Sequence, residues 1–210
     1  MFGADPQAAD ILAAARMNPV GREIKLDAQL RAKSVKVPFV IEVSQGAVRY
    51  GFTDPVQDIF LRLGENSSTL EERQGAALKA VPISKLDDSL RGGLITYEDL
   101  ALGFLYWKAP TLLGTEVIRT RDAWKIEIPA PPTGSQYGAV RVWIDQQSSA
   151  LLRIEGYNRE GKLAKRFEVV SAQKIDGQWM LKQMRVERID PATRKTTGIT
   201  YLEVLGRSGE

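Results

Sequence analysis

The chain has 210 residues, of which 29 are Lys or Arg and 26 are Asp or Glu, for a formal net charge of +3. Apolar residues make up 43% and charged residues 26%, proportions of a globular chain with enough apolar side chains for one sizeable core. Cysteine and histidine are both absent, so a disulfide, a thiolate nucleophile, a Cys/His zinc site and a histidine general base are excluded.

No apolar run approaches the roughly 18 residues that a membrane span needs. The stretch Met1 to Pro6 has neither a basic n-region nor an apolar h-region, so any export signal is expected to have been removed already. Residues 151–210 carry 12 basic and 8 acidic side chains and hold the whole positive excess. A nucleic-acid module shows a denser basic stripe, so this one reads as a solvated strand face and no nucleic-acid partner is expected.

Asp5 to Met17 predicts a short helix, with Asp5 as N-cap, Pro6 in the first position and Asn18-Pro19 as the stop. From Arg22 to Lys33, residues Ile24, Leu26, Ala28, Leu30 and Ala32 alternate with polar ones, the mark of a long antiparallel strand with one wet face. Val37–Val43 and Ala47–Phe52 follow as strands, joined at Ser44-Gln45-Gly46. Ile59–Leu63 is a further strand candidate, whereas Thr69–Val81 carries helix and strand signals together. Ile83, Leu86 and Leu90 have the spacing of one helical face, and Gly92-Gly93 stops it. A short helix signal, Thr96–Leu100, and an apolar run, Leu102–Trp107, complete a central segment that predicts a lid.

Alternation then returns. Seven strands are expected from Thr115 to Leu205, with Trp124, Ile126 and Ile128 on one face of one strand and Val140, Val142 and Ile144 on one face of the next. Trp143, on the face opposite those valines, is expected to be partly exposed. Asn158–Gly161 and Asp176-Gly177 are hairpin turn signals, the second the stronger. No Gly/Ser/Pro-rich linker divides residues 1–210, so one domain is expected. Its fold class is mainly β (α+β): about ten or eleven antiparallel strands that curl strongly around a short mid-chain helical lid, with an N-terminal helix.

Chemistry is sparse. Glu71-Glu72, Asp87-Asp88 and Glu98-Asp99 are the acidic pairs, and neighbouring carboxylates can share acid and base roles when their environments differ. Adjacent residues project in different directions, so solvated helix ends or turns are the expected setting and no enzyme is expected. Calcium-loop, phosphate-loop and dinucleotide-binding motifs are absent.

Several motifs in order carry a resemblance. Thr96-Tyr97-Glu98-Asp99-Leu100, Leu112-Leu113-Gly114-Thr115-Glu116 and a strand ending Ile126-Glu127-Ile128-Pro129 come first. Val140-Arg141-Val142-Trp143-Ile144-Asp145 and Arg153 through Lys162, with its aromatic and Asn-x-x-Gly-Lys turn, come after. Together they resemble the LolA/LolB/RseB superfamily of outer-membrane lipoprotein-sorting proteins over residues 90–205. Two departures stand out. Thr53–Val81 lacks the Asp-Gly-x-x-Trp-x-Tyr stretch expected there, and Arg49, Arg62 and Arg91 are all candidates for the arginine that fastens the lid.

What the resemblance implies is a half-open barrel with an apolar cavity, and a periplasmic carrier that binds lipoprotein or other lipid acyl chains non-covalently. A monomer without cofactor or metal, in peripheral contact with membranes, is expected. Leu90, Leu94, Leu100 and Phe104 are the candidate ligand contacts on the lid, with Ile126, Val140 and Val142 across from them. The alternative is an envelope sensor or scaffold of the RseB kind, whose interior is filled by its own side chains. In that reading an envelope protein partner meets the basic C-terminal face around Lys165 and Arg166.

Overall fold

The computed structural model describes residues 7–17, 23–44 and 46–209. Helix α1 (Ala8–Met17) precedes a first group of strands: β1 (Ile24–Ala32), β2 (Val35–Ser44), β3 (Ala47–Thr53), β4 (Val56–Leu63), β5 (Ser68–Gln74) and β6 (Ala77–Ala80). The lid follows, built from 3-10 turns at Ile83–Lys85, Leu90–Gly92 and Gly103–Tyr106 and from helix α2 (Tyr97–Ala101). The second group is β7 (Thr111–Ile118), β8 (Arg121–Pro129), β9 (Ala139–Asp145), β10 (Leu151–Tyr157), β11 (Leu163–Ile175), β12 (Gln178–Ile189) and β13 (Thr196–Arg207).

All thirteen strands form one antiparallel sheet in the order β6-β5-β4-β3-β2-β1-β13-β12-β11-β10-β9-β8-β7. Every neighbouring pair but one is a sequence-adjacent hairpin; the exception, β1 with β13, joins the first strand to the last. The two free edges, β6 and β7, are the strands that the lid connects. The lid is therefore inserted at the one place where an otherwise cyclic meander is interrupted. A flat sheet would set β3 and β9 about 34 Å apart, seven spacings of about 4.8 Å. Side chains from both line one small cavity, so the sheet is strongly curled, as long twisted antiparallel sheets are.

Alternation decides which side chains point inward. On β1, Leu26, Ala28 and Leu30 are buried, and on β8 Ile126 and Ile128 are. The main core gathers inner-face residues from α1, the lid and both strand groups, among them Leu12, Phe39, Ile59, Leu105, Ile126, Val142 and Val186. Each such fully buried side chain stabilises the fold by about 1.5–3 kcal/mol relative to exposure. A second small cluster lies on the outer face, where Trp143 packs with Ile118 and Ala123.

Three expectations are corrected. The strands number thirteen, because the ambiguous Thr69–Val81 forms most of β5 together with β6. Cross-strand pairing with β4 overrides the helical propensity of Leu70-Glu71-Glu72-Arg73. Ile83–Leu90 is not a continuous helix, since the carbonyls of Leu86 and Asp88 accept from the amides of Glu98 and Tyr97 and are not free for helical bonds. Trp143 is only 2% exposed, covered by Lys125 and Arg153 over its ring and donating its indole N–H to Glu116. Asp5, Pro6, Asn18-Pro19, Arg22 and Gln45, assigned to caps, stops, a strand start and a turn, lie outside the described residues.

Candidate ligand-binding cavity

The lid is held over the inner face by polar contacts that its short helix organises. Thr96 is the N-cap of α2 and accepts from the Asp99 amide, while the Asp99 carboxylate accepts from the Thr96 amide at 2.8 Å, a reciprocal capping box. That leaves the Asp99 carboxylate, on the first turn of α2, aimed at the sheet. Lys165 Nζ on β11 donates to Asp99 Oδ2 at 2.7 Å, and the Tyr137 hydroxyl, from the β8–β9 connection, donates to Oδ1 at 2.6 Å. Burial, with Asp99 beside it, pushes the Tyr137 phenol well above its ordinary range, so it stays a donor. The Tyr137 ring lies on Gly156, where a Cβ would come within 2.2 Å of the ring.

Other ties surround this one. The neighbouring Glu98 accepts from the amide and the side chain of Gln136. At the rim, Lys85 donates to Glu72 at 2.6 Å and sits over the Tyr97 ring. Burial opposes the charge on Glu72, but hydrogen bonds from Lys85 and Gln57 prevail and lower its pKa. The Leu94 amide donates to Thr200 Oγ1, the Tyr106 hydroxyl to the Gly64 carbonyl, and Arg16 on α1 to the Leu105 carbonyl. Leu102, which joins α2 to the next turn, holds a φ of 51° in the left-handed region, a strain that the surrounding packing must maintain.

Beneath the lid lies a cavity of about 240 Å³. Ile95, Leu100, Leu102 and Phe104 roof it, and strand residues including Tyr50, Val140, Ile154, Phe167, Met184 and Leu202 wall it. Asp99 is the one charged residue in the lining, and its charge is answered by Lys165. No cluster of three or more acidic side chains set to hold a metal occurs among the described residues. None of their helices is long and apolar enough to cross a membrane.

A family model described as "-like: Uncharacterized protein" matches residues 76–206, from β6 through the lid to β13. A domain assigned to outer membrane lipoprotein sorting in Vibrio parahaemolyticus superposes with a TM-score of 0.68 at 16% identity, covering 93% of this chain and 89% of that one. A LolA superfamily protein from Nitrosomonas europaea gives a TM-score of 0.64 at 18% identity, covering 96% and 92%. The chain belongs to the matched family and has the LolA-superfamily fold. A DUF1329 family protein from Desulfovibrio piger shares it, with a TM-score of 0.64 at 18% identity over 98% and 95% of the two chains. No curated protein matches.

Within this LolA-like fold, Leu100, Phe104 and Val140 line the cavity. Leu90, Ile126 and Val142 lie in the packed core around it, and Leu94 is half-buried against Gly198 of β13. The Glu98-Asp99 pair, expected at a solvated helix end, is 7% and 8% exposed, because α2 is docked by its N-terminus onto the sheet. Lys165, expected on an outer basic face, is 8% exposed and points inward. Of the three arginines considered for the lid, Arg49 bridges Glu42 and Asp58 on the outer face and Arg62 pairs with Glu71. Only Arg91 belongs to the lid, where it donates to the Pro55 carbonyl and lies over the Phe52 ring. Lys165 and Tyr137 were missed as lid contacts. The shared face of Leu163, Lys165 and Phe167 was the available signal for the lysine, because it put a cation among inward-facing apolar residues.

Proposed function

We propose that this protein is a periplasmic carrier that binds the acyl chain of a lipoprotein, or of another lipid, non-covalently beneath its lid. The observation that carries the reading is the apolar cavity of about 240 Å³ between α2 and the curled sheet. Enclosed apolar cavities of about 150 Å³ admit apolar guests, and the lining of this one is apolar apart from Asp99 and the two tyrosines. Each acyl methylene transferred from water contributes about 0.8 kcal/mol, which supplies affinity without polar chemistry. Lipoprotein sorting is the role given to the Vibrio parahaemolyticus domain of the same fold, and it agrees with this use of the cavity. The protein acts by binding, as a monomer, and touches membranes peripherally.

The sensor reading called for an interior filled by its own side chains and for Lys165 on an exposed face. The cavity and the buried Lys165–Asp99 pair favour the carrier instead. Native mass spectrometry after mixing with a diacylated peptide tests it: one acylated adduct is expected for the wild type, and none for Met184→Trp, which fills the cavity. No adduct with the wild type, or an equal adduct with a stably folded Met184→Trp, sinks the reading.

A further inference from the structure

The longest hairpin of the sheet runs past its paired register with both neighbours. The β10 register on β11 ends at Arg153 opposite Glu168, and the β13 register on β12 begins at Glu203 opposite Gln183. Val169 to Ile175 and Gln178 to Lys182 therefore run on as a two-stranded ribbon, about 17 Å long on the β12 side, beside which β13 continues to Arg207 and accepts a hydrogen bond from Gln173 at the Val204 carbonyl. Asp176 and Gly177, with φ of 51° and 75°, close it in the two-residue turn that matches strand twist.

Its tip presents an unusual side chain. Trp179 is 65% exposed, the largest apolar residue on the surface among the described residues. It stands directly opposite Lys174, whose ammonium lies 5.3 Å from the indole ring. Lys182 flanks it on the same strand, and Asp176, the only acid of the tip, is taken up by Arg207 of β13. An aromatic ring whose body is apolar, with the Lys174 ammonium over it and Lys182 three residues along the strand, suits the boundary between water and an anionic bilayer.

Position along the strand links this tip to the cavity. Trp179 and Leu181 are two apart and share the inner face, and Leu181 lines the cavity. The register shift between Ser171 and Ala172 leaves an extra residue at Lys182, which lets Leu181 and Met184 both face inward. Trp179, Leu181 and Met184 thus form an apolar track from the exposed tip to the cavity wall.

We propose that the β11–β12 tip is a docking lip for an anionic phospholipid surface, with Trp179 entering the headgroup boundary at the mouth of the apolar track. The proposal deepens the carrier reading and rests on it for where an acyl chain goes after docking. Co-sedimentation of the full chain with vesicles of phosphatidylethanolamine and phosphatidylglycerol tests the docking step. Trp179→Ala is expected to weaken vesicle binding about tenfold, the loss of one buried aromatic contact. The same change removes the fluorescence component quenched by acyl-brominated phospholipid. Trp179→Phe keeps most of the binding, whereas Lys174→Gln with Lys182→Gln weakens it and reduces its sensitivity to salt. In the absence of vesicles, Trp179→Ala is expected to take up diacylated peptide as the wild type does. No vesicle binding by the wild type, or undiminished binding by Trp179→Ala, overturns the docking lip. Loss of peptide uptake by Trp179→Ala without vesicles overturns it too, since Trp179 would then belong to the cavity. Wild-type vesicle binding without any peptide uptake would leave the lip standing and remove the carrier reading.

Discussion

The two faces of this sheet use charge in opposite ways. On the outer face, ions form a network that crosses strand after strand: Glu116 with Arg153, then Glu168, Arg185, Glu187, Arg166 and Glu155. On the inner face, among the described residues, ion pairs form where the lid meets the sheet, at the rim between Glu72 and Lys85 and in the depth between Asp99 and Lys165. The outer cations keep 22% to 35% of their side-chain surface in water, whereas Lys165 keeps 9% and Asp99 4%. The outer carboxylates keep only 8% to 12%, but each loses little when one pair is broken, because Glu168 also has Arg119, Arg153 and Arg185 and Glu187 has both Arg166 and Arg185. An inner partner left alone has no such recourse, so the lid contact is a specific and costly one to disturb.

The largest expected effect breaks this comparison at its deepest point. Lys165→Met leaves Asp99 buried without its cation and is expected to lower unfolding stability by about 3–5 kcal/mol in a urea titration. Adding Asp99→Asn to it recovers part of the loss, because the uncompensated charge goes with it. A loss below about 1 kcal/mol from Lys165→Met would place this pair with the outer ones. The second test contrasts packed core with cavity wall. Ile126→Ala, at a site with no exposure, is expected to cost about 2–5 kcal/mol. Leu202→Ala, on the cavity wall, is expected near or below the lower end of that range, since its side chain has fewer neighbours to lose.

Much of the outer-versus-inner division was legible in the sequence, because period-2 alternation is a local signal. Ile24 to Ala32, Trp124 to Ile128 and Val140 to Ile144 declare their buried faces one residue at a time. β5 does not, since only Leu70 of its seven residues is buried and its neighbours are good helix formers; pairing with β4 makes it a strand. The Ile83–Leu90 pattern misled for a similar reason, its carbonyls being taken by amides of α2. At the site, the apolar lining could be read in part, as Leu100, Phe104 and Val140 show. The contact between Asp99 and Lys165 could not. Lys165 and Asp99 are 66 positions apart, and no local pattern reports that β11 passes beneath α2.

A smaller effect is expected at the lid's own cap. Thr96→Ala removes the acceptor for the Asp99 amide and for the Gln136 side chain, and is expected to cost about 1–2 kcal/mol in the same titration. Thr96→Ser keeps the hydroxyl and is expected to restore most of it. Equal losses for the two would assign the effect to the threonine methyl and not to the capping box.

The smallest effect at neutral pH, and the one with the clearest pH signature, belongs to the outer seam where β1 meets β13. Glu203 accepts two hydrogen bonds from Arg31 and others from Gln29 and Gln183. The Arg31 bonds outweigh partial burial and, with the glutamines, hold the carboxyl at about 2, against 4.5 for a free glutamate. A carboxyl depressed on folding stabilises the fold fully above its unfolded value. That contribution is lost as protons bind between pH 4.5 and about 2. Glu203→Gln is therefore expected to flatten the fall in melting temperature across that window, while lowering stability at neutrality by at most about 1 kcal/mol, the range of solvent-screened pairs. An unchanged acid limb in Glu203→Gln would move the acid sensitivity to other carboxylates. Asp145, whose burial is outweighed by Arg121 and Ser148, and Glu116, bonded by Trp143 and Lys125, are also lowered. Both lie toward the β7 edge, and the lowered Glu72 lies on β5 near the β6 edge, so that outcome would move the acid-labile part of the sheet toward the two edges that the lid connects.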